Sequence, residues 1–298
     1  MNIQEQTIPV RQHVIQAVVY TPDIKPIGCV QLLHGLAEHS GRYDALIQRL
    51  VKAGYQVLRH DHVTHGQSRS ESESLGDWRF RDQWRHLIDD AIHVYEQLAD
   101  QSLPYIILGQ SMGSIIARQL AATTPYPVAK VVLLGSLPRI YEREIAPAIG
   151  MGWLVSLITL NRPSNFLYQL IARNTKDAYG HPKGWLTTDE SLIHALDLDP
   201  NYGFIYRAKF YLDFFRAIRR VNTTRWIRLL PRVPTLFLTG DDDPAGRYGQ
   251  GVEDLVAHLQ VLRPDVAFTL KRYPGMRHEL HNEVNKEQVF DDLLNWLH

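Results

Sequence analysis

Apolar residues along this chain alternate between two arrangements, short unbroken runs and longer stretches with apolar positions three and four apart. The runs at Ile27–Leu33, Tyr55–His60, Tyr105–Leu108 and Val128–Leu134 have strand length, and Val131-Val132-Leu133-Leu134 reads as a strand buried on both faces. Between them, Leu46, Ile47 and Leu50 predict a helix over 43–53 that Gly54 closes. Trp84, Leu87, Ile88, Ala91, Tyr95 and Leu98 predict a longer one, and Met112, Ile115, Ile116 and Leu120 share the face of a third. Upstream, β-formers such as Val14, Ile15, Val18 and Val19 predict extended chain over 8–20, read as a strand pair. After Pro138 the alternation stops, and helix-like, aromatic-rich segments follow to about Pro231. It resumes with a strand over 234–239, a helix over 248–262, a strand over 267–273 and a closing helix over 284–297.

Strands alternating with helices predict a mostly parallel central sheet flanked by helices on both faces. Residues 1–137 and 232–298 would form one α/β core, and 138–231 an inserted helical cap. The stretch from Ile145 to Leu160 is nearly uncharged, but it contains Pro147, Gly150 and Gly152 and falls short of the roughly 20 residues a membrane span needs. It is read as a buried or interfacial segment.

Composition narrows the picture little. The 298 residues carry 32 Lys plus Arg and 32 Asp plus Glu, so no global field argues for nucleic acid. Cys29 is the only cysteine, which excludes an intrachain disulfide, and its apolar surroundings suggest a buried strand position. The polar start, Met1 to Gln16, lacks the basic and apolar regions of a secretory signal, and the expected location is cytoplasmic.

In open α/β sheets functional groups gather beyond the carboxyl ends of strands. Beyond Leu108 stands Gly109-Gln110-Ser111-Met112-Gly113, a serine on a sharp strand-to-helix turn with small residues two positions away on either side. Beyond Leu33 comes His34-Gly35-Leu36-Ala37-Glu38-His39, beyond Thr239 the run Gly240-Asp241-Asp242-Asp243, and beyond Tyr273 the turn Pro274-Gly275-Met276-Arg277-His278. A serine hydroxyl needs a neutral imidazole to take its proton, a role assigned to His278. A carboxylate must steady that imidazole; Asp243 is the candidate, although chemistry leaves Asp241 and Asp242 open. Two amides would stabilise the oxyanion, those of Leu36 and Met112. His60, His62 and His65 fit neither a helix-face metal pair nor another metal spacing, and Asp61 is read as ending a strand before a loop that turns at Gly66.

Together with Glu38-His39-Ser40-Gly41-Arg42-Tyr43, Asp61-His62-Val63-Thr64-His65-Gly66-Gln67-Ser68 and Tyr273-Pro274-Gly275-Met276-Arg277-His278-Glu279, these pieces resemble the monoacylglycerol lipase and lysophospholipase branch of the α/β-hydrolase superfamily. The resemblance implies an α/β-hydrolase fold with an inserted cap, or lid. It implies Ser111 as nucleophile, and it selects Asp243, three positions past the glycine, as the partner of His278. The amides of Leu36 and Met112 form the implied oxyanion hole, and no cofactor or metal is implied. The sequence departs from the branch's lipases at Leu36, where they often carry a smaller residue, and over 138–231, where Trp185-Leu186-Thr187-Thr188-Asp189 is closer to bacterial hydrolases of the branch.

The expected substrate is a small-molecule single-chain acyl ester, a monoacylglycerol or lysophospholipid. Short esters, thioesters or peptides on the same triad are the alternative, as is a ligand-binding protein without turnover. Phe210, Phe214 and Ile218 share a helical face ringed by Arg207, Lys209, Arg216, Arg219 and Arg220. That helix predicts either peripheral membrane contact through the cap or, preferred here, an aromatic face packed over the site with its arginines solvated or paired.

Overall fold

Unbroken apolar runs become central strands because both of their faces meet helices. A computed structural model describes residues 1–11, 13–69, 72–79, 82–173, 175 and 179–298. Its first half runs β1 (Asn2–Val10), β2 (His13–Thr21), β3 (Gly28–Leu33), α1 (Asp44–Lys52), β4 (Tyr55–His60), α2 (Gln83–Leu98), β5 (Tyr105–Gln110), α3 (Met112–Thr123) and β6 (Val128–Leu134). Next come α4 (Glu142–Ile158), α5 (Asn165–Ala172), α6 (Glu190–Leu198), α7 (Ala208–Val221) and the single turn α8 (Thr224–Ile227). The chain then returns to β7 (Thr235–Gly240), α9 (Gln250–Leu262), β8 (Phe268–Tyr273) and α10 (Lys286–Leu297).

The described strands form one sheet of eight in the order β1-β2-β4-β3-β5-β6-β7-β8. β1 pairs antiparallel with β2 and β2 with β4, while all later pairs are parallel. Successive residues serve opposite faces. Leu32, Leu108, Val132 and Leu238 pack with α1 and α10, and their neighbours Leu33, Ile107, Leu133 and Phe237 pack with α2, α3 and α9. Every residue of β3, β5 and β7 is buried.

Two details differ from the sequence reading, and a third narrows it. The strand pair begins at Asn2 rather than near Ile8, because β1 is an exposed edge strand with no buried face to write an apolar pattern. α9 starts at Gln250, after Arg247, Tyr248 and Gly249 take left-handed backbone. For the stretch over 145–160, read as buried or interfacial, burial is excluded: of α4 only Ile145 and Gly152 are buried, while Trp153 is 53% and Ile158 72% exposed. No described helix is long and apolar enough to cross a membrane. In α7, by contrast, the aromatic face is buried and shares its core with α2 and α3, so the preferred packing over membrane contact is what the structure has for this helix. Arg207 pairs with Asp77, Arg216 with Asp213 and Arg219 with Glu142.

Candidate active site

The turn from β5 into α3 forces Ser111 to φ 51° and ψ −117°, strained values for a side-chain-bearing residue. Its glycines are there for space. A Cβ on Gly109 would lie 2.2 Å from the Gly113 carbonyl oxygen, and one on Gly113 would lie 2.0 Å from that of Leu33. Met112 opens α3, so its N–H belongs to the first turn, which has no acceptor within its own helix.

The loops after β7 and β8 bring Asp243 and His278 to that serine. Ser111 Oγ lies 2.8 Å from His278 Nε2, and His278 Nδ1 lies 2.8 Å from Asp243 Oδ2. A carboxylate only accepts, so Nδ1 carries the proton and Nε2 is free to accept from the serine. Asp243 is fully buried, and its other oxygen takes the Ala245 N–H at 2.8 Å. Asp241 is used elsewhere, accepting the Gly275 N–H at 2.6 Å, and the Asp242 carboxylate lies 4.0 Å from the Arg277 guanidinium. Burial alone would lower the pKa of His278, but the Asp243 carboxylate, helped by Glu279 and Glu38, outweighs it and leaves the imidazole above its ordinary value.

The loop after β3 is fixed on several sides. Gly35 N–H donates to Glu38, Ala37 N–H donates to Tyr206 Oη at 2.6 Å, and the Ala37 carbonyl accepts from Gly203 N–H at 2.7 Å. The N–H groups flanking Leu36 are thus both engaged. Asp61 ties this loop to the one after β4, accepting from Ser40 N–H and Oγ at 2.8 and 2.7 Å and from Gln67 N–H at 2.8 Å. A Cβ on Gly66 would strike the Asp61 carboxylate at 2.1 Å. His65 and His62 serve this same scaffold: His65 Nε2 accepts from Tyr206 Oη at 2.7 Å, and the His62 N–H donates to His34 Nε2 at 3.0 Å.

Sequence reasoning gave no role to a buried ionic cluster beside the site. Arg42 donates to Glu38 and to both oxygens of Glu279, at 2.7 and 2.5 Å for the latter, and stacks over Tyr202 at 4.8 Å. Burial would raise Glu279, yet the bidentate Arg42 guanidinium holds it below the usual carboxylate range. The i, i+4 spacing of Glu38 and Arg42 was a visible signal, but Glu279 joins them only in space.

Ser111 and His278 open into a cavity of about 730 Å³. Its lining includes apolar side chains, among them Leu36, Leu137, Ile145, Ile171, Phe214 and Ile218, and polar ones, among them Glu38, Lys183, Tyr202 and Glu279. Most of this lining comes from the helices and loops between β6 and β7.

A mostly parallel sheet with helices on both faces and a serine at the turn after its central β5 defines an α/β-hydrolase fold. A family model described as serine aminopeptidase, S33 matches residues 24–285. The chain is 30% identical over 281 residues to a monoacylglycerol lipase of Mycolicibacterium smegmatis, covering 94% of this chain and 91% of that protein. It is 28% identical to human monoglyceride lipase over 292 residues, covering 93% and 84% of the two chains. The structure of a thermostable carboxyl esterase from Bacillus coagulans superposes with a TM-score of 0.89 at 28% identity, covering 100% of this chain and 98% of that one. The chain belongs to this S33 family of hydrolases, in the monoacylglycerol lipase branch of the α/β-hydrolases.

Proposed function

We propose that the chain is a serine carboxylic-ester hydrolase that cleaves single-chain acyl esters of the monoacylglycerol or lysophospholipid kind. Ser111 Oγ attacks the ester carbonyl while His278 Nε2 takes its proton, and Asp243 stabilises the imidazolium. The Leu36 and Met112 amides receive the oxyanion. As the tetrahedral intermediate collapses, His278 returns the proton to the leaving alcohol, and the same imidazole then activates the water that clears the acyl-enzyme. The observation that carries this reading is the Ser111–His278–Asp243 chain of hydrogen bonds, opening into a cavity lined by both apolar and polar side chains. The apolar lining suits an acyl chain, and the Glu38, Lys183, Tyr202 and Glu279 side chains suit a hydroxylated or charged alcohol. Similarity to lipases and an esterase supports the same substrate class.

Residues 138–231 serve in this reading as the cap over the core of residues 1–137 and 232–298. Its α4 and α5 hold a lipid surface through Trp153, Leu157, Ile158 and Phe166, which are all more than half exposed. Ile158→Glu combined with Leu157→Glu is expected to reduce co-sedimentation with phospholipid vesicles while leaving p-nitrophenyl acetate turnover unchanged.

The primary test is hydrolysis of p-nitrophenyl esters from acetate to palmitate by wild type and Ser111→Ala, with and without a fluorophosphonate. Turnover should disappear in the variant and under the probe, with an optimum at a medium or long chain. An optimum at acetate would move the substrate to short esters. Folded wild type that neither turns over nor labels at Ser111 would reduce the chain to a binding protein.

A further inference from the structure

The loop that carries His278 is held by the insert as well as by Asp243. Backbone pairing starts the contact: Glu279 N–H donates to the Leu186 carbonyl at 2.7 Å and His278 N–H to that of Trp185 at 3.4 Å. Arg277, directly before the imidazole, sends Nη1 to the carbonyls of Gly184 and Thr187 at 2.6 and 2.9 Å, and its guanidinium lies over the Tyr179 ring at 3.9 Å. Tyr179 Oη in turn donates to the carbonyl of Asp242, next to Asp243, at 2.6 Å.

A second anchor is Glu283, only 1% exposed. One carboxylate oxygen accepts the Arg277 N–H at 2.6 Å, and the other accepts Thr188 N–H at 3.0 Å together with the Thr188 hydroxyl. Thr187 Oγ1 adds a bond to the Asn282 carbonyl at 2.8 Å. Between these anchors the Trp185 ring stands over His278, with centroids 4.8 Å apart. The Asp243 bond orients the imidazole, but the backbone beneath it lies in a loop that turns at Gly275, beyond the end of β8. Misplacing a catalytic group by about 1 Å can cost on the order of a hundredfold in rate, so what fixes this backbone bears on the chemistry.

We propose that the Gly184–Thr188 segment is a latch on the base's loop, with Arg277 and Glu283 as positioning residues for His278 and Trp185 as its cover. This rests on the reading of His278 as general base. It divides the insert into a bolted part, which carries the latch, and the exposed α4 and α5. The insert then contributes to catalysis through the base and not only by covering the cavity.

The test compares Arg277→Lys and Glu283→Gln with wild type, each also in a His278→Ala background. Lysine cannot serve two carbonyls and stack on an aromatic face at once, and glutamine presents a donor where Thr188 N–H needs an acceptor. The expected result for each is a kcat reduced about tenfold or more, with KM within about twofold. In His278→Ala the same changes should leave the residual rate unaltered, because the group they position is gone. Hydrogen exchange of the 274–283 peptide should quicken in both variants. Wild-type kcat in both variants, an equal loss in the His278→Ala background, or unchanged exchange would each overturn the latch. If one variant does not fold, the other carries the comparison. Failure of wild type to label at Ser111 would instead strike the reading of the site, and exchange would still judge the latch.

Discussion

Ser111 pays for its exposure with left-handed backbone, and the glycines around it let that backbone fit. Gly113→Ala would drive a Cβ into the Leu33 carbonyl, which lies in the main chain of a central strand and cannot yield. We expect a loss of at least about 3 kcal/mol by urea denaturation, or no folded protein. His278 must be neutral to act as a base, so kcat/KM should fall on acidification through a pKa raised above the ordinary value of about 6.5. Asp243→Asn removes the main cause of that rise. The acid limb of the profile should move to lower pH while kcat drops about ten thousandfold, and a limb that stays in place would place the charge elsewhere. The positions of Ser111 and His278 beyond strand ends were legible because each follows a readable strand. Among Asp241, Asp242 and Asp243 periodicity is silent, since all three are equally polar; the resemblance pointed to Asp243, and the fold buries that one fully against His278.

At the scale of elements, α7 shows what periodicity does and does not convey. Its aromatic stripe was readable, but the partners of that stripe were not. Phe210 stacks on Tyr206 with centroids 3.6 Å apart and meets Trp78 edge-on at 5.0 Å, and Trp78 donates to Asp213 at 3.0 Å. Phe210→Ala should therefore cost about 3–5 kcal/mol in chemical denaturation. It should also weaken esterase activity, because Tyr206 at the edge of that stack holds the Ala37 amide beside Leu36. α4 teaches the reverse lesson. A nearly uncharged helix pattern implies burial when its partner face exists, yet here most of the helix faces outward, and apolar composition alone does not tell core from interface.

Over the whole molecule, buried histidines tie stability to pH. Burial lowers the pKa of His60 and His65 to about 4 and of His281 to about 3, and it holds His34 and His62 well below the ordinary value. The unfolded chain protonates these groups near pH 6.5 while the folded chain refuses. Stability is then full above about pH 6.5 and falls as pH drops toward the folded values, by up to about 1.4 kcal/mol per unit for each histidine. The raised pKa of His278 acts in the opposite sense, with its contribution present below its unfolded value and lost as pH rises through the folded one. Urea midpoints measured from pH 7.5 to 4.5 should fall steeply, and a flat profile would show that these rings are solvated. By itself the sequence determined the strand order in the chain, which loops lie at carboxyl ends, and hence the order in which the candidate serine, acid and base follow one another, because periodicity and glycine placement are local and survive without a partner. Among three aspartates that periodicity leaves equal, tertiary structure puts Asp243 against His278, and it alone decided the outward face of α4, the contacts on the His278 loop and the Arg42–Glu279 pair. These depend on groups far apart in the chain, 237 residues for that pair and 167 for Ser111 and His278, and no local pattern records which distant surfaces will meet.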